Sequence, residues 1–103
     1  MALSIKIKNG LFEVTGDLSS TNSYQVRKYF EIMLQIKNNI KISLANLDSM
    51  DVASVFELRT LIEYATRYKK ELTFIGTRNK KIQGAFLDSG CDLFSFNYFK
   101  FSA

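Results

Sequence analysis

The chain has 103 residues, 47% hydrophobic and 23% charged, which fits one globular domain with a real core and excludes a disordered polypeptide. Its single cysteine, Cys91, excludes an internal disulfide and makes reducing cytoplasm the expected compartment. The net charge of +4 is too small to indicate nucleic acid: Lys69, Lys70, Arg78, Lys80 and Lys81 read as a solvated rim, without zinc-finger spacing or a basic aromatic platform.

From the start, MALSIKIKNG carries no apolar h-region, so neither a signal peptide nor a lipid anchor is expected. No apolar run approaches the roughly 18 residues of a membrane span, and no direct membrane insertion is expected. Ser4 to Lys8 alternates, Asn9-Gly10 is a hairpin signal, and Leu11 to Val14 returns as the second strand of an antiparallel pair. Gly16 to Asn22 is small and polar and reads as a loop. Asn22 and Gln25 fit a capping box, followed by Val26, Phe30, Met33 and Leu34 at helical spacing up to Asn38-Asn39.

Ile40, Ile42 and Leu44 alternate as a third strand. From Val52 the period becomes helical again, with Val55, Leu58, Leu61, Ile62, Ala65 and Tyr68 on one face. Lys69 and Lys70 are expected in the last turn, where cations suit the helix dipole. Leu72 to Ile75 is a compact strand ended by Gly76. Ile82, Ala85 and Phe86 predict a short helix stopped by Gly90. Phe94, Phe96 and Tyr98 alternate and predict a last strand. The order β-β-α-β-α-β-α-β gives an α/β fold: one domain over residues 1–103, with a mixed, mostly parallel sheet of about five strands and about three helices.

Chemistry is poorly provided for. The absence of histidine removes the usual general base, triad partner and commonest metal ligand. The glycines are too dispersed for a dinucleotide fingerprint or a phosphate-cradling loop. Asp48 and Asp51 could pair for a divalent cation or for acid–base work, but carboxylates at a strand end more often cap or face water. No enzymatic activity, cofactor or metal is expected.

The most informative stretch is LDSMDVASVF, residues 47–56. Met50 can point into the core beneath the turn. Asp51 is the best N-cap for the following helix, with Ser54 and Glu57 a second choice slightly later. Here the sequence resembles the STAS family, whose signature is an apolar residue followed by Asp-Ser-Ser-Gly-Leu at the start of the second helix. Met50-Asp51 matches the apolar–Asp pair, and Val52-Ala53-Ser54-Val55 occupies the next four positions. Gly16-Asp17-Leu18 matches the family's Gly-Glu/Asp-Leu loop, with Ser19 where an acidic residue is typical.

The resemblance covers about residues 5 to 98 and leaves out the final helix of many relatives. It implies a regulatory binding domain of the anti-sigma-factor-antagonist kind. In that group a partner kinase phosphorylates the serine directly after the motif aspartate, a position held here by Val52. Phosphoryl control at that site is therefore not expected.

The expected contact surface comprises Asp17, Ser19, Ser20, Asp48, Ser49, Asp51, Val52, Ser54, Glu57 and Arg59. The partner implied is a protein, either an anti-sigma factor or serine kinase-like regulator, or alternatively a subunit of a lipid or anion transporter. A homodimer, or a structural self-associating role for the aromatic tail, stays open.

Overall fold

The computed structural model describes residues 2–91. Strand β1 (Ser4–Lys8) and strand β2 (Leu11–Leu18) pair antiparallel, with Lys8 opposite Leu11. Asn9 and Gly10 between them have φ of 52° and 79°. Both are left-handed, the type I′ turn whose twist matches its strands and which Asn-Gly favours. β2 is longer than its alternation suggests: Gly16, Asp17 and Leu18, expected in the loop, continue the strand past a register shift at Gly16/Asp17.

Helix α1 (Ser23–Ile36) buries Val26, Phe30 and Leu34 against the sheet. Phe30 meets Phe12 of β2 edge to face, with ring centroids 5.4 Å apart, the geometry that aromatic quadrupoles prefer. The expected Asn22–Gln25 capping box does not form, because the Asn22 side chain turns away from the helix. Its Oδ1 accepts from Ser19 N and its Nδ2 donates to Asp17 O, both at 2.9 Å. The side chain thus closes the loop it belongs to, a competing local bond available to asparagine.

Strand β3 (Asn39–Ser43) runs parallel to β2, and strand β5 (Glu71–Ile75) runs parallel to β3. Between them in sequence comes a strand that periodicity does not reveal, β4 (Leu47–Met50), parallel to β2 beyond its bulge. The sheet order is β1-β2-β3-β5, with β4 attached to β2. Among the described residues, five strands and three helices agree with the fold class read from the sequence. The fifth strand is β4, however, and the predicted strand at 94–98 lies outside the described residues.

Helix α2 (Val52–Arg67) buries Val55, Leu58, Leu61, Ile62 and Ala65, whereas Tyr68 is exposed beside Tyr64. Lys69 and Lys70 fall after the helix, not in its last turn. Lys69 N donates to Thr66 O and Lys70 N to Ala65 O, the crossed pair of bonds that closes a helix with a left-handed residue. That residue is Lys69, with φ of 57°, where a Cβ is unfavourable. Lys69→Gly is expected to stabilise the domain by about 1 kcal/mol, raising Tm by about 4–8 °C. An unchanged or lower Tm would contradict this account of the helix end.

Helix α3 (Gln83–Ser89) ends at Gly90, which is left-handed as the stop signal predicts. Among the described residues, no helix is long and apolar enough to cross a membrane. The buried faces of β2, β3 and β5 alternate with partly or fully exposed residues such as Glu13, Lys41 and Thr73. The sheet thus carries its core on one face, leaving a mostly polar face towards solvent.

Candidate protein-binding site

The parallel strands β2 and β4 end side by side, Leu18 opposite Met50, so the loop into α1 and the first turn of α2 meet at one end of the sheet. Met50 is buried beneath this junction. Asp51 follows it in extended conformation as the N-cap of α2. Its Oδ1 accepts from Ser54 N at 2.9 Å and from Ser54 Oγ at 2.7 Å. Its Oδ2 accepts from Ser20 N at 2.8 Å, and Asp51 N donates to Leu18 O at 3.2 Å. One carboxylate therefore caps a helix and fastens the β2–α1 loop to it.

The partial burial of Asp51 acts to raise its pKa, but the bonds from the Ser54 hydroxyl, Ser20 N–H and Ser54 N–H outweigh it. They hold the carboxyl below the ordinary aspartate value, as expected when donors converge on the charged form.

Around this anchor the loop orders itself. Ser19 and Thr21 share a hydroxyl–hydroxyl bond of 2.7 Å, and Ser23 N donates to Ser19 O. On β4, Ser49 is exposed and its Oγ donates to Asp17 Oδ1 at 2.8 Å. Asp48 forms an ion pair with Lys81 at 3.6 Å. Asp48 and Asp51 thus answer to different partners and do not form a carboxylate pair. Among the described residues, no group of three potential metal ligands gathers.

Of the ten residues named from sequence, nine lie at least partly at the surface of this end or on the flank of α2: Asp17, Ser19, Ser20, Asp48, Ser49, Asp51, Val52, Glu57 and Arg59. Ser54 is fully buried, with its hydroxyl turned to Asp51, and acts as an internal support. Glu57 is not a free surface group either. Its Oε1 accepts from Arg27 Nε at 2.6 Å, while Arg27 Nη1 reaches Glu31 at 2.5 Å. Residue pattern alone does not reveal this three-residue link between α1 and α2. The i,i+4 spacing of Arg27 and Glu31 was a usable signal, but the pairing with Glu57 depends on tertiary contact. Arg59 is exposed, with Nη1 3.8 Å from Cys91 Sγ.

No family model and no curated protein matches the chain. Solved structures do. One is the anti-sigma factor antagonist SpoIIAA in its unphosphorylated form, at 14% identity over 71% of this chain and 71% of that one, with a TM-score of 0.55. Another is the STAS domain of a SulP transporter from Vibrio cholerae, at 11% identity over 82% of this chain and 67% of that one, with a TM-score of 0.48. The chain therefore has a STAS-like fold.

Proposed function

We propose that the protein is a non-enzymatic binding module of the antagonist kind, which holds a partner protein at the β2–α1 loop and the start of α2. The observation that supports this reading most is the carboxylate of Asp51, bonded at once to Ser20 N and to Ser54. Two loops tied together before any partner arrives lose little conformational freedom on binding. Substrate turnover that disappears in a folded Asp51→Asn variant would contradict the non-enzymatic reading.

Binding at this surface is proposed to be free of the phosphoryl switch that the resemblance would imply. Residue 52 is valine, and the nearby Ser54 hydroxyl is fully buried and already bonded, so a kinase cannot reach it without opening the helix start. Ser49 is exposed but sits on β4 beside Asp17, ahead of the helix. After incubation with a cognate serine kinase, phosphopeptide mapping is expected to find the wild type unmodified at Ser49 and Ser54, and Val52→Ser modified at residue 52. Phosphate on Ser49 or Ser54 of the wild type, with loss of the partner, would overturn this.

Affinity capture from native cells, read by mass spectrometry, tests the binding reading itself. An anti-sigma factor or serine kinase-like regulator is the expected catch, weakened by Arg59→Glu. Transporter subunits in its place would move the role to transport on the same fold.

A further inference from the structure

A second surface lies along the lateral edge of the sheet formed by β1. Among the described residues β1 pairs with β2 alone, and no other described strand covers its outer edge. The two-residue turn makes Lys8 and Leu11 the hydrogen-bonded pair that closes the hairpin, and such pairs alternate along an antiparallel ladder. The backbone groups of Lys8, Lys6 and Ser4 are therefore used within the hairpin, and those of Ile5 and Ile7 point to the outer edge.

Side chains alternate as well. Ile5 and Ile7 lie on the helix-covered face, opposite Val14 and Phe12, yet Ile7 is 58% exposed. Tyr29 of α1 packs against Phe12 with ring centroids 6.2 Å apart, which places that flank of α1 beside β1. Ile36 continues the Tyr29 row and is 70% exposed. The remaining side chains, Ser4, Lys6 and Lys8, are exposed on the opposite face; Thr15 faces Ser4 across the ladder, Glu13 faces Lys6 and Leu11 faces Lys8.

We propose that β1 is a docking edge for an acidic strand of a partner protein. The partner's alternate apolar residues would cover Ile7 and Ile36, and its carboxylates would lie along Lys6 and Lys8. Main-chain bonds to Ile5 and Ile7 would supply the pairing, as in other strand-addition complexes. Charge decides against a second copy of this chain as the occupant: pairing the full length of β1 antiparallel with itself sets Lys6 against Lys6 and lines four lysines along one seam. Like charges opposed on a sheet are destabilising. The Lys8 end of this edge is distant from the Asp51 surface, whereas Ser4, opposite Thr15, runs towards it. Lys8 lies beside Leu11 at the start of β2, and Asp17 is about 20 Å further along that strand at the usual rise.

The test is titration of the isotope-labelled full chain with the capped peptide Val-Glu-Val-Glu-Val-Glu and with its lysine counterpart Val-Lys-Val-Lys-Val-Lys, followed by amide chemical shifts. The expected result is shifts centred on Ser4–Lys8, with the acidic peptide bound at least about tenfold tighter. The K6E/K8E double variant is expected to reverse that preference. Ile7→Pro, which removes an outward N–H without breaking the hairpin ladder, is expected to lose binding. Should Ile7→Pro fail to fold, the charge reversal decides alone. Equal affinity for the two peptides, shifts located elsewhere, no binding, or sedimentation as a dimer with β1 protected would each overturn the proposal.

Discussion

Replacing Asp51 with alanine is expected to destabilise the domain by about 3 kcal/mol, more than an ordinary cap is worth. Loss of the cap alone costs about 1 kcal/mol. The remainder comes from what Asp51 does for others. Ser54 is fully buried and gives its hydroxyl to Asp51, so the alanine strands a buried polar group, at about 1–3 kcal/mol. Ser20 N loses its acceptor too, but this loop is exposed and water replaces much of that bond.

A double replacement separates these parts. Asp51→Ala with Ser54→Ala removes both partners, and should recover about 1 kcal/mol of the single variant's loss. Additive losses would show that the Ser54 hydroxyl finds another acceptor.

The same carboxyl makes stability depend on pH. Its folded-state pKa is depressed, so its contribution is complete above the unfolded aspartate value near ~3.9 and is lost as pH falls through the folded value. The stability gap between wild type and Asp51→Asn, read from denaturant melts, is expected to be full at neutral pH and to close in acid below about pH 4. A gap that widens in acid would contradict the sign of the shift.

Gly76→Ala is expected to be at least as damaging, at about 3–4 kcal/mol. Gly76 ends β5 with φ of 77°, and a Cβ there would lie 2.4 Å from Ala45 N and 2.5 Å from Ala45 Cα. The obstacle is backbone, and it is held. Leu44 N donates to Ile75 O at 2.8 Å, and Asn79 Nδ2 donates to Leu44 O and Leu47 O at 3.0 and 2.9 Å. Moving Ala45 aside would drag Leu44 and Leu47, both buried, and with Leu47 the start of β4 that carries Met50 and Asp51.

Gly10→Ala is the control. Its φ is 79°, but nothing lies within 4 Å of the added carbon, so only the conformational cost of about 1–2 kcal/mol remains. Equal losses at the two glycines, measured by chemical denaturation, would show that the loop around Ala45 yields freely.

Much of this architecture is legible in the sequence because local signals agree with the fold. Asn9-Gly10 sets the hairpin, Ile40 and Ile42 alternate into β3, the Val55-to-Ala65 stripe becomes α2, and Gly90 stops α3. The exceptions have physical causes. β4 escapes notice because Leu47 and Met50, its two buried residues, are three apart and break the period of two. Its pairing also runs past a bulge. Gly16 to Leu18 look like loop residues, yet β2 extends through them because β4 supplies the partner.

At the site, the cap role of Asp51 follows from residue type and position. Its bond to Ser20, 31 residues away, follows only from the strands that bring the two loops together. Ser54 reads as a surface hydroxyl because serine usually is one, and Glu57 reads as solvent-facing because its partner Arg27 lies on another helix.

The proposed partner protein is held at the end of the sheet where Ser20, Ser49 and Arg59 are exposed. Site-specific photo-cross-linking in native cells tests this most directly. The photoreactive residue is placed in turn at Ser20, Ser49 and Arg59, with Lys41 on the exposed polar face as the control. The account predicts one discrete protein adduct shared by the first three positions and absent at Lys41. No adduct at the three positions, or the same adduct at Lys41, would contradict it.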